Sequence, residues 1–246
     1  MIPRTLLLLV LTTAASRAVI VNIPAAKDTT LYESATGSLA NGAGDFLFTG
    51  RTLQQADSRR RAVLEFDIQS LVPSGAVINS ATLMLYTALV RPSATTVSVH
   101  RLTREWNEGT TNASGNEGSG GAPVTGNDAT WLHANSPATL WSGPGAAGDF
   151  IGAASSSSLI AAANAFYAWN GLAGDVQGWL ADDTSNHGWI LIGDESATGT
   201  AVQWMSLSHS LDENRPVLVL DYTPVPEPGS LTLAALAALG LARRRR

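Results

Sequence analysis

Residues 61–87, RAVLEFDIQSLVPSGAVINSATLMLYT, carry the pattern that most limits the fold. In the first half Ala62, Leu64, Phe66 and Ile68 alternate with Val63, Glu65 and Asp67, the period of a pleated strand with one face on a core. Pro73, Ser74 and Gly75 interrupt it, because proline fixes φ and glycine admits positive φ. The alternation then resumes with Leu83 and Leu85 on one face and Met84 and Tyr86 on the other. Short apolar segments of this kind recur at 19–23, 46–49, 95–100, 189–192, 202–206 and 217–222, separated by Gly, Asn, Ser and Pro clusters. Many short strands with almost no helical periodicity predict an all-β fold, a jelly-roll β-sandwich with long loops. One short helix is expected at 175–181, capped by Asp175, with Val176, Trp179 and Leu180 as its buried stripe.

The sequence contains no cysteine, so disulfides cannot compensate for a small core, and thiolate zinc sites and cysteine catalysis are excluded. Only 14% of residues are charged. Between residues 19 and 224 nine basic residues face nineteen acidic ones, a net charge of −10. Such a body repels phosphate backbones, and Arg59 to Arg61 is too short a run to form a basic face, so nucleic acid is not an expected partner. Residues 107–158 differ from the rest. They hold Gly118, Gly120, Gly121 and the serines 155–158, and read as long loops with short strands at 129–132 and 149–151. Loops of this length in a compact β domain are usually functional or mobile.

Both ends read as processing segments. Residues 1–18 combine Arg4, an apolar run at 6–11 and small residues at Ser16 and Ala18, the layout of a secretory signal peptide cleaved after Ala18. At the other end Pro226, Glu227 and Pro228 precede an apolar run at 231–242 and then Arg243, Arg244, Arg245 and Arg246. The run is short for a permanent span and suits a transient anchor helix, with the arginines as a membrane stop. Triplet, apolar helix and basic end in this order resemble a PEP-CTERM sorting signal. The resemblance implies a Gram-negative bacterium, export across the inner membrane, cleavage near the triplet by an exosortase, and delivery to the cell envelope or exopolysaccharide matrix. The chain thus divides into a signal peptide (1–18), a folded body (19–224) and a sorting segment (225–246).

The body resembles the DNRLRE-type domain, a jelly-roll family related to carbohydrate-binding modules. The carrying strings are Asp28-Thr29-Thr30-Leu31, Arg61 to Asp67, Ser80 to Tyr86 and Val99 to Trp106. Ala129-Thr130-Trp131, Trp141 ahead of Gly148-Asp149-Phe150, Asp175 to Trp179, Asn186 to Trp189 and Arg215 to Leu218 continue the series. The resemblance implies extracellular polysaccharide as a partner and a structural calcium as a cofactor, with Asp28, Asp67, Asp149 and Asp221 as contributors. No D-x-D-x-D-G loop is present to specify calcium by spacing.

Seven tryptophans could stack on sugar rings or fill a core. Trp179 and Trp189 lie in apolar patterns and read as core. Trp106, Trp131 and Trp141 flank the Gly-rich loops and Trp169 precedes a turn, so these four are the candidate carbohydrate contacts. Carboxylates pair as Glu105/Glu108, Asp182/Asp183, Asp194/Glu195 and Asp212/Glu213, but adjacency in a strand points neighbours to opposite faces. The four histidines show no ligand spacing, and no nucleophile elbow or phosphate loop occurs. The expectation is a non-catalytic envelope or matrix protein that contacts extracellular polysaccharide. A structural or adhesive protein without a defined sugar is the first alternative, and a polysaccharide hydrolase or lyase the second. Exposed tryptophans would favour sugar binding, buried ones a structural role, and converging carboxylates in a cleft an enzyme.

Overall fold

The computed structural model describes residues 17–91, 94–118 and 120–225. The strands are β1 (Val19–Tyr32), β2 (Leu39–Ala40), β3 (Phe46–Arg51), β4 (Arg59–Phe66), β5 (Val77–Val90), β6 (Thr95–Arg101), β7 (Ala122–Pro123), β8 (His133–Asn135), β9 (Thr139–Leu140), β10 (Ser156–Ile160), β11 (Ala165–Trp169), β12 (Trp189–Ile192), β13 (Val202–Met205) and β14 (Val217–Thr223). A single α-helix, α1 (Ala173–Ala181), and three short 3₁₀ turns complete the described chain.

All pairings are antiparallel. One sheet holds β11, β5, β14 and β13; β14 and β13 lie end to end along the side of β5 opposite β11. The other holds β10, β6, β12 and β4 in that order. Two strands join the layers. β1 pairs with β14 through Pro24, shifts register between Ala25 and Lys27, and then pairs with β4. β3 pairs with β13 and then, at Gly50 and Arg51, with β4. The result is a closed ring of six strands, β1-β14-β5-β13-β3-β4, with β12, β6 and β10 extending one side and β11 the other.

Alternation places Ala62, Leu64 and Phe66 of β4, Leu83 and Leu85 of β5, Trp189 and Leu191 of β12 and Leu218 and Leu220 of β14 in one core between the sheets. Trp169 and Trp204 meet there at 5.5 Å between ring centroids, and Trp179 from α1 meets Trp189 at 4.5 Å. Helix α1 begins two residues earlier than the sequence suggests. Asp175 does not cap it; its carboxylate accepts the Trp189 indole N–H at 2.8 Å.

The opposite face of β4 is also buried, against the expectation of a one-sided sheet. Val63 and Ile190 point away from the main core into a second one, with Leu31, Leu102, Trp106, Trp131 and Trp141. This core is roofed by residues 103–107 and 128–151, which form a third layer, while Gly118 and Gly121 pack beside Phe48 and Tyr32. Predicted strands at 129–132 and 149–151 do not form; β8 and β9 occupy the roof instead, and Phe150 makes one isolated bridge to Leu102. The roof is tied down by charge. Arg61 makes a paired contact with Glu195 (Nε to Oε1 2.7 Å, Nη2 to Oε2 2.9 Å), donates to the Gly145 carbonyl at 2.7 Å and lies 5.3 Å from the Trp131 ring centroid. Asp128 accepts from the Thr111 N–H and hydroxyl, both at 2.9 Å.

Candidate functional site

Where β6 ends, the chain turns outward through Thr103, Arg104, Glu105, Trp106 and Asn107. Asn135 of β8 and Thr139 of β9 face this segment, and His187 reaches it just ahead of β12. Together they line an open polar cleft of about 590 Å³. Its floor is the edge of Trp106, whose indole N–H donates to the His187 carbonyl at 3.0 Å. Beneath it the Lys27 ammonium donates to the Trp106 carbonyl at 3.2 Å and sits 4.9 Å from the indole centroid. The same ammonium is 2.8 Å from Glu65, an ionic contact without hydrogen-bond alignment.

The electrostatics follow from burial. Desolvation pushes the Glu65 carboxyl up, opposed by Lys27 and reinforced by Glu105 and Asp183. Desolvation pushes His187 down, with Glu105 pulling up and Lys27 adding to the depression. At neutral pH the cleft therefore presents a neutral imidazole, two amides, two hydroxyls, the Glu105 carboxyl group and part of Arg104. That array donates and accepts hydrogen bonds without strong net charge. Arg104 is turned partly away, 2.9 Å from Asp149.

The four tryptophans expected to meet sugar do not reach solvent as platforms. Trp106, Trp131, Trp141 and Trp169 are each at most 5% exposed, and the other three tryptophans are buried too. The reason is the third layer: loops that looked free to display indoles pack them onto the outer face of β4 and β12. Trp169 instead enters the main core, where its N–H donates to the Val97 carbonyl at 2.8 Å.

Nor do the four aspartates converge. Asp28 is buried, accepts the Leu207 N–H at 2.7 Å and lies beside Glu108; burial holds its carboxyl well above the usual carboxylate range. Asp149 accepts the Ser142 hydroxyl at 2.8 Å and the Ser142 N–H. Burial raises its pKa, but these donors and Arg104 outweigh that, so it lies low. Asp67 closes an exposed turn on the Ser70 N–H, and Asp221 accepts from Asn79 on the neighbouring strand. Among the described residues no group of three or more His, Asp or Glu stands where it could hold a metal ion. The four aspartates expected as calcium ligands stand apart, each with an oxygen engaged by an internal N–H or O–H donor.

Asn107, Asn135 and Thr139 carry no sequence signal that singles them out, since loop amides are common. His187 was visible as part of Asn186-His187-Gly188-Trp189. Gly188 has φ +71°, and a Cβ there would lie 2.0 Å from the Leu64 carbonyl, so the turn that presents His187 requires glycine.

A second concavity of about 610 Å³ lies on the outer face of β3, β13 and β5, lined by Phe48, Leu53, Leu89, Arg91, Asn116 and Gln203 among others. It is more apolar than the first and has no carboxylate.

Residues 224–246 match the family model of the PEP-CTERM protein-sorting motif. The match makes the chain an exported protein, held transiently at the membrane and sorted by exosortase. No curated protein sequence matches the chain. Pro226, Glu227 and Pro228, the apolar run and Arg243 to Arg246 lie outside the described residues, as does the expected signal peptide up to Ser16. Ala18, the expected cleavage position, is exposed immediately before β1. Among the described residues no helix is long and apolar enough to cross a membrane.

Proposed function

We propose that the body left after PEP-CTERM processing is a non-catalytic structural or adhesive component of the cell envelope or extracellular matrix of a Gram-negative bacterium. Its two antiparallel sheets are compatible with a DNRLRE-type jelly roll. The burial of all seven tryptophans carries this reading. A sugar platform needs an indole face in solvent, and here the faces are used for packing. A hydrolase is disfavoured on geometry. Glu105 lines the cleft, but the carboxyl behind it, Glu65, is tied to Lys27, so two free carboxyls do not face a common bond.

The polar cleft supports a second reading, in which extracellular polysaccharide is held by hydrogen bonds from Asn107, Asn135, Thr139 and His187 without stacking. A glycan array probed with the exported, processed protein, with and without calcium, separates the two. The structural reading expects no defined glycan to bind in either condition. Saturable binding that His187→Ala or Asn135→Ala abolishes would replace it with the second.

A further inference from the structure

The second concavity, on the outer face of β3, β13 and β5, has a built floor. Gln203 of β13 stands in register between Phe48 of β3 and Leu89 of β5, so the three side chains share one face of the sheet. Arg91 follows two residues beyond Leu89, and its N–H donates to the Ala201 carbonyl at 3.2 Å, which extends the ladder by a rung. One wall is the loop that carries Asn116 and Gly118. A Cβ on Gly118 would lie 3.2 Å from the Phe48 ring, so this loop packs directly on the floor. Asn116 stiffens it, donating from Nδ2 to the Gly121 carbonyl at 3.3 Å. Leu53 and Gln54 form another wall. At about 610 Å³ the space falls within the range of small-molecule sites.

The polar groups of this cavity are mostly unused donors. Among the described residues the Arg91 guanidinium makes neither an ion pair nor a hydrogen bond, and the Gln203 carboxamide makes no hydrogen bond. Gln54 spends its carboxamide oxygen, which accepts the Thr52 hydroxyl at 3.0 Å and Arg60 Nη2 at 2.9 Å, and keeps its N–H groups spare. No carboxylate lines the cavity, although residues 19–224 include nineteen acidic ones. A cation without an anion, beside spare N–H groups, is complementary to an anionic oxygen ligand. The apolar part of the lining is equally uncovered. Leu53 is 64% exposed and Leu89 43%, so a ligand with an apolar body would take surface from water on both.

We infer that this concavity binds a small amphiphilic carboxylate. Its acid group sits on Arg91, whose planar fork matches two carboxylate oxygens, with Gln203 and Gln54 supplying further N–H donors. Its aliphatic or aromatic body lies against Leu53 and Leu89, above Phe48. A bare inorganic anion has no apolar body to cover the two leucines. A sugar acid would need an open ring face to stack on, and Phe48, at 5% exposed, offers none. The site shares no lining residue with the polar cleft, and the inference holds with or without the matrix role.

The test is titration of the exported, processed, nitrogen-15-labelled protein with naphthalene-2-carboxylate at neutral pH and low salt, followed by proton–nitrogen correlation NMR. The amide signals of Leu89, Arg91 and Gln203 should shift together and saturate, with a Kd of about 1 mM, ordinary for a ligand of about thirteen heavy atoms. Naphthalene-2-methanol, the same ring system without the charge, should bind about fivefold more weakly. Arg91→Gln should bring the acid to the level of the alcohol while the thermal midpoint stays unchanged, since that guanidinium has no partner to lose. Leu53→Asn, at an exposed position, should weaken both probes about threefold and keeps the test open should the first variant fold poorly. Glucuronate, an acid without an apolar body, should give no saturable shift below about 10 mM. No saturable shift with the naphthoate, equal affinity for acid and alcohol, indifference to both variants, or glucuronate bound as tightly as the aromatic acid would each overturn the inference. The matrix reading stands or falls separately, on retention of the protein in the matrix fraction.

Discussion

Replacing Trp106 by phenylalanine separates a structural indole from a ligand platform. The substitution removes the N–H that the half-buried His187 carbonyl accepts at 3.0 Å, a cost of about 1–2 kcal/mol. It weakens the Lys27 ammonium–ring attraction, seen at 4.9 Å, by about 0.5 kcal/mol. The smaller ring also leaves a gap against Val63 and Ile190, worth roughly 1 kcal/mol. Together these give a loss of about 3 kcal/mol. With a urea slope of about 3 kcal/mol per molar for a chain of this size, the midpoint should fall by roughly 1 M with the slope unchanged. Equilibrium urea unfolding followed by far-UV circular dichroism measures it directly. An unchanged midpoint, combined with loss of binding to any glycan, would mean that the indole meets ligand and that the third layer does not bury it.

Three further perturbations test other parts of the structure. Glu195→Gln leaves the Arg61 guanidinium, whose side chain is 13% exposed, without its anion, and should cost about 3 kcal/mol in urea unfolding. Arg61→Met combined with it should cost less than the sum of the two single changes, since no charge is then left unpaired. Gly188→Ala drives a Cβ to 2.0 Å from the Leu64 carbonyl at φ +71° and should yield no folded protein on export, read by protease resistance. Burial holds the Asp28 pKa above its unfolded value, so the folded state binds that proton more tightly and stability falls as pH rises above about 4. Asp28→Asn has no such proton. Its stability relative to the parent should therefore increase from pH 4 to pH 7; a pH-independent difference would refute the assignment. Glu65 and Glu108, also raised chiefly by desolvation, act in the same direction in both proteins, and His187, lowered, acts in the opposite one, so only the difference between variant and parent is diagnostic.

The strands that cross the main core were legible because one period-two stripe suffices to mark them. Leu64 and Phe66, or Leu83 and Leu85, need no knowledge of their partners. Val63 was not legible as core. Its burial depends on a roof supplied by residues 103–107 and 128–151, and nothing in β4 announces that its outer face will be covered. β10 was missed for a different reason: Ser156, Ser157 and Ser158 have loop composition, and a margin strand with water on one side tolerates them. The extent of β1 was also hidden, since Pro24 and Lys27 break the apolar pattern at the point where the strand changes sheets. The cleft was illegible almost entirely, because Asn107, Asn135 and His187 are brought together by roof and sheet rather than by spacing.

The tryptophans show why composition alone misleads about a site. A loop layer built largely of Gly, Ser, Ala and Thr has few side chains able to fill volume, so a small number of indoles must do it. An indole brought inside carries one N–H that needs an acceptor. Irregular backbone brings carbonyls that need donors. Five of the seven indole N–H groups donate to an acceptor, three of them to main-chain carbonyls. Trp106 donates to the His187 carbonyl, Trp141 to the Thr130 carbonyl at 2.9 Å and Trp169 to the Val97 carbonyl. Trp204 donates to the Thr49 hydroxyl at 3.1 Å and Trp189 to Asp175. Three of these bonds join the indole to main chain distant in sequence or to the roof itself, so each ring acts as packing and as a staple. Residues used in this way have neither a free face nor a free N–H to offer a sugar. The same property that suggested a carbohydrate surface in the sequence, aromatic groups set in small-residue loops, is in the folded chain what allows those loops to become a layer.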